Sequence, residues 1–434
     1  MPQTAAAAGF TSDAFEAFLA GRQEPTWTTE LRRQAWQTFE QLDLPSRREE
    51  EWMRTDIRLF RLDRFSLPSE QADEAAPPQP LLTHGVELGG HATALNSRHL
   101  DAQLDEDLAR QGVLFGSLDA LIAEHGDLLR PHLFRAVDFK ADKFAALHAA
   151  CWSGGMLLYV PRGVRIEKPL HMLSALSGGG VDLGHALIVL EDGAEATLLA
   201  ETAGDEAANL HCGAIEVIVG NGARLRYVNL QNWGAGTWHF AHQRGMVGRD
   251  GALQWTIGAL GSRLAKVNQH VALVGEGADV QVNGVMFTEG KQHLSYHTLQ
   301  HHQAAHCHSD LLYKGALQDH SQVVWRGMIK VDPAAQKTNA YQRDDNLMLS
   351  EQARADSIPG LEIEADDVIC THGATAGRVD DSQIFYARCR GLTRKEAVRV
   401  IVAGFFQQVF DRITIESVRD ALGDAIGRRI REYE

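Results

Sequence analysis

The sequence predicts a mainly β protein, with a β-solenoid core between N-terminal and C-terminal helical regions. After Trp152, helical periodicity gives way to short apolar runs separated by glycine-containing turns. Four of these turns recur at near-constant intervals, because their central glycines step by 29, 29 and 26 residues. The glycines are Gly193, Gly222, Gly251 and Gly277. Such spacing is typical of coils stacked around one core, whereas a β-sandwich predicts a turn every ~8–12 residues.

The N-terminal region, residues 1–150, is expected to be mostly helical, with a short mixed segment at its end. Two amphipathic helices fit residues 12–42, with Pro25 between them. The charged run 44–56 predicts a solvated helix anchored by Trp52, and the proline-rich stretch 71–80 predicts a surface linker.

The solenoid core is expected over residues 151–375 and a C-terminal helical domain over residues 376–434. Three helical segments follow the core, and the second begins with Thr393 and Glu396, the spacing of a capping box. This second helix carries a broad apolar stripe. We predict that part of the stripe binds a partner, and the alternative is packing on the solenoid. The predicted partner-binding residues are Phe405, Phe406, Val409 and Phe410.

Composition narrows the range of functions. The formal net charge of −15 argues against nucleic acid or an anionic membrane as the principal partner. The 5 cysteines are scattered, with no Cys-x-x-Cys pair, which indicates a reducing compartment and no preformed cluster motif. Neither a signal peptide nor an apolar stretch of ~18 residues is visible, so we expect a cytoplasmic protein with no membrane span.

The segment from residue 365 to 377, here called the hinge segment, joins the β-repeats to the C-terminal helices. In an extended strand, Cys370 and His372 point to the same side, and Thr371 points to the other. Thiolate and imidazole could then share one metal ion or cluster. The alternative is a buried thiol and a hydrogen-bonded histidine in an ordinary strand.

A second candidate is a histidine-dense passage around Cys307. Several of its side chains could meet at a metal, but their spacing matches no standard zinc pattern. A solvated strand face or a subunit contact is the favoured interpretation. The histidines are His293, His297, His301, His302, His306 and His308.

Several stretches, together with the helix that follows Arg390, are similar to one known family. They are residues 142–147, 152–161, 312–315, 335–338 and 372–377. The chain resembles the SufB/SufD family, the scaffold proteins of the SUF iron–sulfur cluster assembly machinery. The hinge segment resembles the Cys-Ser-His-Gly motif of the SufD branch, with Thr371 in place of serine. The run from Glu51 to Asp56 also resembles that branch.

The resemblance implies a right-handed parallel β-helix and a non-enzymatic scaffold role in a SufBCD complex. In that complex the C-terminal helices dock a SufC-type ATPase, and a transient iron–sulfur cluster forms at the interface with a SufB-like subunit. His372 and its neighbour Cys370 would be this chain's contribution. An ATP site of its own is not expected, because the glycine spacing from Gly284 to Lys291 departs from a P-loop. Whether a reduced flavin serves the complex stays open.

Two other functions remain as alternatives. A SufB-like scaffold that assembles by itself is disfavoured, because Asp344 and Asp345 stand where SufB subunits carry an assembly cysteine. A β-helix enzyme acting on polysaccharide shares the architecture. Against it, the two adjacent aspartates would face opposite sides of a strand and could not act as a catalytic pair.

Overall fold

The computed structural model describes residues 9–68 and 76–430. The helices are α1 (Ser12–Ala20), α2 (Thr26–Gln41), α3 (Glu106–Arg110), α4 (Leu118–Leu129), α5 (Lys143–Cys151), α6 (Asp381–Cys389), α7 (Arg394–Phe410) and α8 (Glu416–Arg429). Half of the predicted linker, residues 71–75, and the extreme ends of both terminal regions lie outside the described residues. None of the helices in the described ranges is long and apolar enough to span a membrane.

Within the described ranges, twenty strands form the core. They are β1 (Gly90–Leu95), β2 (Arg98–Leu104), β3 (Leu114–Ser117), β4 (Gly155–Val160), β5 (Leu170–Leu176), β6 (Val181–Asp182), β7 (His185–Leu190), β8 (Glu195–Gly204), β9 (Leu210–Val219), β10 (Arg224–Asn232), β11 (Trp238–Val247), β12 (Ala252–Ala259), β13 (Leu264–Leu273), β14 (Asp279–Thr288), β15 (His293–His302), β16 (His308–Leu317), β17 (Gln322–Val331), β18 (Asn339–Met348), β19 (Arg354–Ile363) and β20 (Ile369–Arg378).

From β7 onward, successive strands alternate between two ten-stranded sheets, which is the pattern of a parallel β-solenoid. Sheet A has the order β2-β1-β5-β8-β10-β12-β14-β16-β18-β20, and sheet B has the order β19-β17-β15-β13-β11-β9-β7-β4-β3, with β6 beside β9. Among the described strands, only the β1–β2 and β3–β4 pairs are antiparallel. The predicted solenoid between helical regions is confirmed. Its sheets also include strands β1 to β3, upstream of residue 151.

The predicted turns lie where the chain passes from sheet B to sheet A, and they stack on one another. Gly193 donates its N–H to Asn221 O at 2.8 Å, and Gly222 donates to Arg249 O at 2.8 Å. Both glycines have positive φ, near +70° and +63°. In the third turn Asp250 takes this conformation, with φ +53°, and donates to Glu276 O at 2.9 Å. Each of these three turns therefore contains one residue in the left-handed backbone conformation, which glycine adopts most readily.

The solenoid interior is a continuous apolar core with large aromatic side chains in successive coils. Tyr227, Trp255, Tyr296 and Trp325 are all almost fully buried within it. Gly284, in the stretch superficially similar to a P-loop, lies inside β14, where a Cβ atom would meet the Tyr313 ring at 2.3 Å. Its lack of a side chain therefore serves core packing.

The charged run of residues 44–56 forms successive turns against the outer face of sheet B, so the predicted helix is wrong. Trp52 is buried, as expected for an anchor. Thr55 Oγ1 donates to Ser295 Oγ at 3.0 Å, and Lys266 Nζ donates to the Glu51 carbonyl at 2.9 Å. The Glu51 carbonyl accepts its hydrogen bond from the sheet, whereas in a regular helix it would accept one from the helix itself. The charge pattern alone does not reveal such a tertiary contact.

The three predicted C-terminal helices are present, and α7 and α8 pack on sheet A. The capping box is confirmed, because Glu396 N donates to Thr393 Oγ1 at 3.2 Å and Thr393 N donates to Glu396 Oε2 at 2.7 Å. Leu422 of α8 comes so close to Gly258 that a Cβ there would lie 2.9 Å from its Cδ2 atom. The helices therefore form one apolar layer with the sheet.

Candidate functional site

The solenoid ends at β19 and β20, the last strands of the two sheets. Within the described residues, β19 pairs only with β17, and β20 pairs only with β18. Each strand thus presents a row of backbone groups that no further strand covers. Large apolar side chains are exposed along the same end, with Leu361 38%, Ile363 41% and Ile369 66% exposed. Exposed apolar groups beside free sheet edges are typical of a surface that receives another chain.

Cys370 and His372 lie at the start of β20, on this end of the solenoid. Cys370 is in register with Ala340, and His372 is in register with Gln342. Both of these β18 residues face the interior, and Gln342 Nε2 reaches across it to donate to Gly360 O at 3.0 Å. Thr371 is in register with Tyr341 and takes the opposite side. The strand therefore brings the thiol and the imidazole to one side of the last coil.

The two side chains differ in exposure. Cys370 is half-buried against a small apolar cluster that includes Val331 and Ala365, and this burial raises the pKa of its thiol. His372 is exposed. No group of three or more His, Cys, Asp or Glu side chains in the described ranges is arranged to hold a metal ion. Within the described ranges, Cys370 and His372 therefore do not by themselves form a complete metal site.

Asp344 and Asp345 face opposite sides of β18, as predicted. Asp344 points inward, where Ser357 Oγ donates to it at 2.5 Å and Asn346 Nδ2 at 2.6 Å. Burial raises its pKa to about 7. Asp345 points outward and accepts a hydrogen bond from Thr375 Oγ1 at 2.6 Å. The two carboxyl groups therefore cannot flank one substrate bond.

The histidine-dense passage does not converge. His293, His297 and His301 lie on the outer face of sheet B, while His302 points inward and contacts Ser309 Oγ at 2.8 Å. His308 lies in sheet A, 3.4 Å from Asp279. Since strand alternation and one change of sheet separate these rings, the passage forms no common metal site.

Two family models match the chain. The model of the SUF system FeS cluster assembly SufBD core domain matches residues 173–405, and that of the SufBD protein N-terminal region matches residues 18–172. The chain belongs to the SufBD family. The resemblance predicted from the motifs is thereby confirmed at the level of the family.

Curated relatives include both branches of the SufBD family. SufD of Bacillus subtilis is 29% identical over 96% of this chain and 97% of the relative. SufB of the same organism is 26% identical over 94% of this chain and 90% of the relative. A SufBD family protein of Staphylococcus epidermidis is 25% identical over 91% and 88%, respectively. These modest identities to both branches assign the family but not the branch.

In this SufBD protein, most of the predicted partner-binding stripe of α7 is internal. Phe406 and Val409 are fully buried and Phe410 is 9% exposed, all within the apolar layer between the helices and sheet A. Phe405 is half-buried, with Lys314 Nζ 4.7 Å from its ring centre. Phe406, Val409 and Phe410 therefore belong to the protein's own core. Helical periodicity identifies an apolar face but not what covers it.

A different apolar surface of the C-terminal helices is exposed. Phe385 and Tyr386 of α6 are 70% and 61% exposed, and Val400 of α7 is 60% exposed. Helical periodicity does not single out these residues. The available signal is a pair of adjacent aromatic residues in a short helix, in which only Ile384 is buried.

Proposed function

We propose that this chain is a SufD-like scaffold subunit that assembles nascent iron–sulfur clusters together with a SufB-like subunit. The observation that carries the proposal is the position of Cys370 and His372 on the last strand, beside uncovered sheet edges. A cluster built there is cargo to be passed on, so the chain itself need not be an enzyme.

The ligand pair suits a transient cluster. Thiolate and imidazole are both ligands for iron in proteins, and clusters commonly take four protein ligands. With two donors from this chain, the remaining positions fall to a second chain or to small ligands. Incomplete coordination by each subunit favours release, because no single chain encloses the cluster.

The second subunit is proposed to cover the uncovered end of the solenoid. The unpaired edges of β19 and β20 can accept main-chain hydrogen bonds from another chain, and the exposed Leu361, Ile363 and Ile369 would be buried there. A SufB-like subunit that ends in a similar coil would bring its own ligands close to Cys370 and His372.

A SufC-type ATPase is proposed to dock on the C-terminal helices through Phe385, Tyr386 and Val400. Aromatic residues are enriched among the anchors of protein interfaces. This assignment replaces the buried residues of α7, whose side chains contact the chain's own sheet A.

The SufD-like role is favoured over a SufB-like role by the residues near the hinge segment. Asp344 and Asp345 occupy positions expected for an assembly cysteine in SufB subunits, and Asp344 is enclosed by Ser357 and Asn346. A buried, hydrogen-bonded carboxyl group cannot replace a thiol that accepts sulfur. A self-assembling SufB-like scaffold remains the second candidate.

The first experiment is an anaerobic affinity purification of the tagged chain, with mass spectrometry of the proteins that accompany it. Recovery of a SufC-type ATPase with a SufB-like chain supports the proposal, whereas recovery of neither contradicts it. Iron and acid-labile sulfide are then measured in complexes carrying His372→Ala, Cys370→Ala or Thr371→Ala. We expect loss in the first two variants and retention in the third, because Thr371 faces away from the ligand pair.

A further inference from the structure

An open groove with a volume of about 910 Å³ runs along the beginning of the sheet B strands. Its floor is one residue row, because Trp238, Leu264, His293, Gln322 and Arg354 are in register across five coils. With neighbouring strands ~4.8 Å apart, this row spans about 19 Å. The opposite wall comes from the N-terminal turns, through Arg47, Arg54, Asp56 and Leu59.

Three of the cations that line the groove have no carboxylate partner among the described residues. Arg54, Arg263 and Lys291 line it and are exposed, and within the described residues none has a carboxylate oxygen within 4.0 Å. Arg263 lies over the Trp238 ring, 5.0 Å from its centre. Three unpaired positive charges in one groove are notable in a chain whose formal net charge is −15.

The carboxylates of the groove are already engaged. Asp56 is held by Arg58, with Nη2 at 2.6 Å, which lowers the pKa of Asp56 to about 2. Glu206 Oε2 accepts from Ala235 N at 3.2 Å, and Glu289 lies 3.8 Å from Arg429. These anions are therefore directed to other partners and do not cancel the three cations.

A hydrogen-bonded chain on the floor leaves one nitrogen without a partner. Asp356 accepts from Gln322 Nε2 at 3.0 Å, so the Gln322 carbonyl oxygen accepts from His293 Nδ1 at 3.2 Å. This arrangement places the proton of neutral His293 on Nδ1. His293 Nε2 is buried with no hydrogen-bond partner among the described residues, and burial lowers the pKa of His293 to about 4. A bound anion could accept a hydrogen bond from this nitrogen once the ring is protonated.

We propose that this groove binds a small molecule that carries two or more phosphate groups. Guanidinium groups match the geometry of phosphate oxygens, and several cations along a groove suit a ligand with its charges in a row. The volume lies within the ~300–1,000 Å³ range of small-molecule sites. The proposal is independent of the cluster scaffold role, because it uses neither the hinge segment nor the C-terminal helices.

The test is calorimetric titration of the full chain with tripolyphosphate at low ionic strength. We expect saturable binding at one site, weakened at least about tenfold in the double variant Arg263→Ala/Lys291→Ala, because each lost charged hydrogen bond is costly. Arg224→Ala is the matched control. Arg224 is exposed on β10, outside the groove, and its loss should change affinity by less than about twofold.

A second readout uses His293. Its pKa, followed by NMR, should rise from about 4 when tripolyphosphate binds, since a nearby anion favours the protonated ring. If the double variant is misfolded, Arg54→Ala replaces it, because Arg54 is exposed and its replacement removes no hydrogen bond or ion pair between described residues.

Three results would overturn the proposal. The first is no saturable binding by the wild-type chain, and the second is equal weakening by Arg224→Ala. The third is tighter binding of a polyglutamate peptide than of tripolyphosphate through the same arginines, which would assign the groove to an acidic protein segment.

Discussion

Thiol and imidazole side chains come together in two regions of this SufBD protein. In the first, beneath α5, His148 Nε2 lies 3.0 Å from His185 Nδ1, and His185 Nε2 lies 3.1 Å from Glu216. Nearby Cys212 Sγ donates to Phe144 O at 3.3 Å, and burial raises its pKa well above the usual range. In the second region, Cys370 is half-buried and His372 is exposed on the last strand.

The difference shows that the same residue types acquire different roles from their surroundings. Beneath α5, burial keeps the thiols protonated and internal hydrogen bonds occupy the rings, so the group stabilises the fold. On β20 no further coil of the described chain covers the side chains, so His372 is exposed and Cys370 only half-buried. The uncovered end of the solenoid, not the residue types, makes the second pair a candidate site.

The largest expected effect concerns Glu216, which supports the buried group. Its carboxylate accepts from Phe134 N and Ala136 N at 2.6 Å and from Val137 N at 3.0 Å. Glu216→Ala leaves these buried donors unpaired, so we expect a loss of about 3 kcal/mol or more in the free energy of unfolding. Urea denaturation measures it. The exposed Glu276→Ala is the control, and equal stability of the two variants would contradict the structural role.

The same contrast between internal and available side chains occurs within the C-terminal helices. Phe406→Ala should cost about 3–5 kcal/mol of unfolding free energy, because it opens a cavity against sheet A. Phe385→Ala should cost less than about 0.5 kcal/mol, because the ring is exposed. Thermal and urea unfolding measure both.

Binding of the ATPase should depend on the exposed Phe385, whose loss hardly affects stability. Phe385→Asp is expected to abolish co-purification of a SufC-type ATPase, whereas Leu128→Asp, at an exposed position on α4, should leave it intact. Retention of the ATPase by Phe385→Asp would move the docking site away from α6.

The pH dependence of the free energy of unfolding tests whether Asp344, one coil before the end of the solenoid, is excluded from water. Burial raises the pKa of Asp344 to about 7, above the ~3.9 of an unfolded chain. The folded state therefore keeps a proton that the unfolded state has lost, and stability falls as pH rises from about 4 to 7. Relative to Asp344→Asn, the wild-type free energy of unfolding should fall by ~1.4 kcal/mol per pH unit there. Urea denaturation at several pH values measures the slope, and the exposed Asp366→Asn should retain it.

The rates at which the thiols are modified compare the exposure of the cysteines directly. In the native chain, Cys389 should react rapidly with iodoacetamide and Cys370 more slowly, because Cys389 is exposed and Cys370 is half-buried. Cys151, Cys212 and Cys307 are buried and should react only after denaturation. Peptide mass mapping identifies the modified residues, and native reaction of Cys212 would contradict the contrast.

Much of the architecture followed from local patterns. The near-constant turn spacing predicted the solenoid, the capping box at Thr393 predicted the start of α7, and the alternation of β20 placed Cys370 and His372 together. The turns of residues 44–56 and the burial of Phe406 did not follow, because both depend on what the opposite sheet face presents. Neither charge pattern nor periodicity contains that information.

The sequence by itself determined the repeat, the family and the order of chemical groups along the hinge segment, since these depend on neighbours within a few residues. Only the tertiary structure decided which side chains remain exposed. The last coil leaves Ile369 and His372 uncovered, and the stacking of five strand starts assembles Arg263 and Lys291 into one groove. Exposure depends on contacts between residues far apart in the chain, and those contacts exist only once the coils have stacked.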